Sequence, residues 1–226
     1  MNTERMAGYY GKIPGHGDFI QHRLPRAFVQ PWDEWLQAGM GASRDRLGED
    51  WLDIYLTSPA WRFALPAGAC CDTAFAGVMI PSVDRVGRYF PFTLAAPLAA
   101  GASVFATAGA SSEWFSATEA LILTTLDDAF DRGRFDATLD KLGAPPVADT
   151  RTTAPLPAHT LLDCADDLTS PLAALLEQLT MAATADCTLW WSHGSDRVAP
   201  SLLWAHGLPP ASAFDALLTG DWAAWP

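Results

Sequence analysis

The stretch Pro81-Ser-Val-Asp-Arg-Val-Gly-Arg-Tyr-Phe-Pro91 constrains this chain more than any other. It is a polar loop set between two apolar runs, Thr73–Ile80 and Phe92–Leu98. Both runs are short, rich in β-branched and aromatic residues, and bounded by Pro or Gly, so both read as strands. The loop carries Ser82, Asp84, Arg85 and Arg88, with Gly87 free to take a positive φ. Polar groups placed between two buried strands are held from both sides, and loops on rigid scaffolds are where binding and chemistry concentrate.

A counterpart lies near the start of the chain, Gly8-Tyr-Tyr-Gly-Lys-Ile-Pro-Gly-His-Gly-Asp-Phe19, followed by Arg23-Leu-Pro-Arg26. If the two loops meet, Lys12, Arg23, Arg26, Arg85 and Arg88 face only Asp18 and Asp84, a basic island on an acidic protein. We expect them to meet, because Asp18 otherwise lacks an obvious cationic partner. Three uses of the charges stay open at this point. Asp84 with Arg88, or Asp18 with Arg85, can pair internally. The residues Lys12, Asp18, Phe19, Arg23, Ser82, Asp84, Arg85 and Arg88 can form a partner-binding surface. Alternatively the arginines can grip an anion while Asp18 or His16 acts as a base. A nucleotide site is rejected, because the glycines here lack the order of a phosphate loop and its strand-loop-helix frame.

The same residues carry a family resemblance. Gly8 to Phe19, then Leu24-Pro25 and Phe28, then Pro31-Trp-Asp-Glu-Trp-Leu36 resemble the opening of the TagF/ImpM family of type VI secretion-associated proteins. Trp61-Arg-Phe63, the Pro81–Pro91 loop, and Leu189-Trp-Trp191 with Gly194 follow in the family's order. The resemblance implies a cytoplasmic accessory protein that restrains a type VI secretion machine after translation. It also implies contacts with other secretion components, a forkhead-associated domain protein among them. Catalysis is not part of that expectation.

Charge narrows the partners further. The net charge is −12, and it is lopsided: residues 1–100 hold 9 basic against 10 acidic side chains, residues 101–226 hold 5 against 16. Such a balance argues against nucleic acid and anionic membranes, since phosphate backbones demand a basic footprint. Cys70, Cys71, Cys164 and Cys187 form no C-x-x-C pair and are too few for a disulfide scaffold. The scattered His16, His22, His159, His193 and His206 have no metal-ligand spacing. No signal-type start and no apolar run of ~18 residues is present, so a reduced, cytoplasmic protein without membrane insertion is expected. No cofactor is implied, and the oligomeric state is not legible.

Along the chain, an edge strand is expected at Tyr9–Lys12 and a helix from Pro25 to about Met40, with Phe28, Trp32, Trp35 and Leu36 on one face. Ser43 reads as the N-cap of a second helix to about Tyr55. Trp32, Trp35, Trp51 and Trp61 are expected in the core. Trp61–Leu65 reads as a strand, 99–112 as a connection, and Glu113 to about Phe130 as a helix continued to Leu142 after a break at Gly133. A Pro-rich surface loop follows around 143–157. Ser170-Pro171 opens a further helix, strands follow at Thr188–Trp191 and Pro200–Ala205, and a last helix lies near Ala211–Leu218. Ser192, His193 and Asp196 sit in one tight turn, which is not how a nucleophile triad assembles. The sum is a single α/β domain over 1–226, a mixed β-sheet flanked by helices on both faces in three sandwich-like layers.

Overall fold

The computed structural model describes residues 6–146 and 187–223. The expected Pro-rich loop beyond residue 146, the helix from Ser170-Pro171, Cys164, His159 and Trp225 lie outside the described residues.

Among the described residues, seven strands form one sheet in the order β2-β1-β5-β4-β3-β6-β7. They are β1 Gly8–Gly11, β2 Ile20–His22, β3 Trp61–Leu65, β4 Phe75–Ile80, β5 Phe92–Pro97, β6 Cys187–Ser192 and β7 Ser201–His206. Helices α1 (Arg26–Leu47), α2 (Trp51–Leu56) and α6 (Phe214–Thr219) cover one face. Helices α3 (Val104–Ala110), α4 (Ser112–Leu123) and α5 (Arg132–Leu142) cover the other. The expected α/β architecture of a sheet between helical layers is present. Within it every strand pairing is antiparallel, where a mixed sheet was expected.

The two faces explain why the central strands read as unbroken apolar runs. In β4, Phe75 and Met79 point to the α1 side, while Ala76, Val78 and Ile80 point to the α4 side. A strand buried on both faces has no solvent side to mark with polar residues. On α1, Phe28, Trp32, Trp35, Leu36 and Met40 recur at three and four residues and are all buried. Trp51 and Trp61 are buried with them, so the four tryptophans expected in the core are there.

Four local expectations are corrected. Ser43 caps nothing: it lies inside α1, where its hydroxyl donates to the Met40 carbonyl at 3.0 Å and accepts from Trp51 Nε1 at 2.9 Å. The helix breaks instead at the 3₁₀ turn Gly48–Asp50. Strand β1 is not an edge but runs between β2 and β5. The connection at 99–112 contains α3, capped by Ser103 Oγ accepting from the Ala106 amide at 3.0 Å. Finally, α5 starts at an Asp131 cap whose Oδ1 accepts from the Arg134 amide at 2.6 Å, so the break precedes Gly133.

The α1–α6 crossing depends on Gly39. A Cβ there would sit 2.4 Å from the Phe214 ring and 2.9 Å from Phe214 Cβ, a clash that no rotamer of Phe214 removes. Gly39→Ala is therefore expected to cost about 1–3 kcal/mol by forcing the helices apart. Thermal unfolding checks it: a variant melting with the parent would show that the crossing is not tight.

Candidate functional site

The two loops meet at a buried carboxylate. Asp84 has a fully buried side chain, and Lys12 is nearly as buried. Lys12 Nζ donates to Asp84 Oδ2 at 3.0 Å, and Arg88 Nε donates to the same oxygen at 2.6 Å. The other oxygen, Oδ1, accepts from the amides of Val86 at 3.0 Å and Arg88 at 2.9 Å. Asp84 thus shapes its own loop through backbone amides, as aspartate does in tight turns, while binding a cation from the other loop. Gly87, at φ 84°, closes the turn in a region that side chains avoid.

The contact continues outward along backbone atoms. The Arg85 amide donates to the His16 carbonyl at 2.9 Å, and Arg88 Nη2 donates to the Gly17 carbonyl. Gly11, where β1 enters its loop, is 134° in φ, and a Cβ on it would lie 2.1 Å from the Pro91 carbonyl oxygen. Behind the junction the Tyr55 hydroxyl brackets Ser82, accepting from its amide and donating to its carbonyl, each at 2.9 Å. Burial pushes that hydroxyl well above the usual tyrosine range, although the Ser82 backbone and Arg44 pull it back.

The expected meeting of the loops is present, but the pairing is not the one that motivated it. Asp84, not Asp18, takes the cations. Asp18 is exposed, its Oδ1 accepts from the adjacent Phe19 amide at 2.8 Å, and it makes no ion pair among the described residues. Arg23 turns away to Asp140 on α5, whose carboxyl its guanidinium holds below the usual range. Lys12, Ser82 and Asp84 form the interior of the site, which Phe19, Arg85 and Arg88 face from outside. Phe19 is 41% exposed, stacked on Tyr10 at 5.5 Å and edge-on to Phe90 at 4.8 Å, with Lys12 Nζ 5.0 Å from its ring centroid. Arg85 is exposed and lies against Gly17, and its guanidinium has no ion pair among the described residues.

Burial alone would raise the pKa of Asp84. The amides, Lys12 and the Arg88 guanidinium outweigh it and hold the carboxyl well below the usual carboxylate range. A carboxyl that binds its proton less readily in the fold than in the unfolded chain makes acid favour unfolding. Its stabilisation is whole above the ordinary aspartate pKa of about 3.9 and drains away as pH falls toward the depressed folded value. The melting temperature is expected to fall more steeply below about pH 4 in the parent than in Asp84→Asn. Equal slopes would show that Asp84 does not carry the acid sensitivity.

No catalytic set is assembled among the described residues. His16 makes no hydrogen bond to Asp18, and its Nδ1 is buried without a partner. No group of His, Cys, Asp and Glu among the described residues is arranged to hold a metal ion. Ser192 Oγ accepts from the Gly194 amide at 2.9 Å within its turn. Burial, helped by Cys71, pushes the Cys70 thiol up to about 12, far from a thiolate at neutral pH. Two contributors were not legible in advance: Tyr55, whose hydroxyl looks like one more core aromatic, and Arg44, which stacks on Trp51 beside the loop.

What the fold and the site define is an antiparallel α/β domain presenting a loop pair locked by buried charge. The model of the TagF N-terminal domain, type VI secretion system-associated, matches residues 8–142. The chain belongs to this family of type VI secretion-associated proteins. The crystal structure of PA0076 from Pseudomonas aeruginosa PAO1 is similar over 95% of this chain and 94% of that one, with 42% identity and a TM-score of 0.81. No curated protein matches the sequence. No helix among the described residues is long and apolar enough to cross a membrane.

Proposed function

We propose that this protein is a cytoplasmic regulator that restrains type VI secretion after translation by occupying another component of the machine. The outward side of the loop pair, Asp18, Phe19, Arg85 and Arg88, is the contact surface. A forkhead-associated domain protein is the partner that the family resemblance implies. Action is by occupancy and not by turnover. The observation that carries the reading is Arg85: an exposed guanidinium without a carboxylate partner among the described residues, on the same loop pair as the exposed Phe19 ring and on a loop fixed by buried charge. Rigid loops that present Arg and an aromatic side chain are what protein interfaces use at their centres.

The test is a pulldown from lysate of the source bacterium, with a thermal melt on each variant. Arg85→Glu is expected to lose the secretion component while changing stability by less than about 0.5 kcal/mol, as exposed substitutions do. Arg88→Glu is expected to lose both binding and stability, because its side chain also holds Asp84 and Gly17. Capture undiminished in Arg85→Glu would remove the loop pair as the contact surface.

A further inference from the structure

Beside the loop pair lies an open groove lined by Arg44, Trp51, Leu52, Gly87, Arg88 and Tyr89. Its chemistry is built, not incidental. The Arg44 guanidinium lies 4.2 Å over the Trp51 ring, an arrangement that holds the fork flat while leaving its N–H edges to donate. Arg44 makes no ion pair among the described residues, although the protein is strongly acidic and Glu49 and Asp50 follow in the next turn. Trp51 is fixed from below through its Nε1 bond to Ser43 Oγ and meets Tyr89 edge-on at 5.9 Å. Leu52 is 39% exposed on one wall. On the other wall a side chain added at Gly87 would meet nothing within 4 Å, so the loop backbone is open to approach.

We infer that this groove takes an acidic, extended segment of the partner protein, with its carboxylates on Arg44 and Arg88 and an apolar side chain beside them against Leu52 and Tyr89. The inference rests on the proposed loop-pair surface and extends it across Arg88 to the α1–α2 corner. Charge complementarity selects the occupant. A preformed guanidinium pairs bidentately with a planar carboxylate, and the apolar surface of Leu52 and Tyr89 in the same groove as the two arginines asks for an apolar residue among the acids.

The probe is a fluorescein-labelled peptide of glutamates flanking one leucine, titrated with the full chain and followed by anisotropy. Saturable binding that weakens with added salt is expected, and the same peptide with glutamine for glutamate should not bind. Arg44→Gln should weaken binding about tenfold, the loss of one charge-assisted pair. Leu52→Glu, at an exposed position away from the Trp51 stack, should weaken it comparably by like-charge repulsion. Glutamine-peptide binding equal to that of the glutamate peptide overturns the inference. So does unchanged affinity in both variants, or binding by a phosphoserine peptide alone. In the pulldown, a partner lost by Arg85→Glu but kept by Arg44→Gln overturns the groove and leaves the loop surface standing. A partner kept by Arg85→Glu but lost by Arg44→Gln does the reverse.

Discussion

Replacing Trp32 by alanine is expected to destabilise the protein by about 3–5 kcal/mol, the range for removing a large aromatic side chain from a packed core. Against a total of about 5–15 kcal/mol for a domain of ordinary stability, that is a large share of what holds the fold. Trp32 is fully buried at the centre of the α1 face. Its ring lies parallel to Trp190 at 5.9 Å and tilted against Trp35 at 4.9 Å and Phe63 at 4.8 Å, so it joins helix α1 to strands β3 and β6. Its Nε1 also donates to Thr93 Oγ1 at 3.0 Å, tying in β5. The alanine variant therefore opens a cavity and removes the partner of a buried hydroxyl. Trp32→Phe should cost less, because most of the ring volume stays and only the polar contact is lost. Denaturant midpoints for both variants decide the matter. A midpoint of Trp32→Ala equal to the parent's would show that the strands do not depend on this ring.

Much of this packing was legible because the core residues announce themselves. Strands β4 and β5 are apolar, β-branched or aromatic, and bounded by Pro and Gly, which few other structures tolerate. Strand β2 was not legible: three residues acquire strand geometry only by pairing with β1, through Tyr9 opposite His22 and Gly11 opposite Ile20. That pairing is a long-range fact that no local pattern encodes. Ser43 misled for a related reason. A serine before a helical pattern and a serine inside one have the same local sequence, and only its bond with Trp51 settles which it is. The alanines, threonine and glycine of α3 read as a connection because small residues lack periodic contrast, yet they let the helix sit against Ala64 and Leu189.

The site was legible by residue type and in one pair, Asp84 with Arg88, but not in the Lys12–Asp84 pair that joins the two loops. The charged residues of both loops were visible, and so was their tendency to meet. Which acid would take the cations was not, because Asp18 and Asp84 look equivalent in sequence. Geometry separates them: the Asp84 turn aims two backbone amides and its own carboxylate inward, whereas Asp18 stands on the outside of a glycine-rich bend. Lys12 counts among the candidate partner-binding residues, yet it is buried, and its burial follows from that carboxylate.

The largest effect in the loops is expected at Asp84. Asp84→Ala leaves the Lys12 ammonium buried without a counter-ion and two amides of the turn without an acceptor. Removing one member of a buried pair is far more damaging than never having had the pair, because the survivor keeps its desolvation cost. The variant should melt well below the parent, with a greater loss than Arg85→Glu or Arg88→Glu produces. A second change separates the two duties of the carboxylate. Asp84→Asn keeps an oxygen for the amides of Val86 and Arg88 but turns an NH₂ toward Lys12 and Arg88, so donor faces donor. Adding Lys12→Met to Asp84→Asn removes the stranded charge and replaces it with an apolar chain of similar reach. The double variant should recover part of the loss, and the same Lys12→Met change alone in the parent should cost stability. A reversal of sign for one substitution between two backgrounds is the signature of a direct pair. If Lys12→Met has the same effect in both, the two loops are joined by the Arg85 amide on the His16 carbonyl and the Arg88 side chain on the Gly17 carbonyl, and the Lys12–Asp84 pair is a passenger.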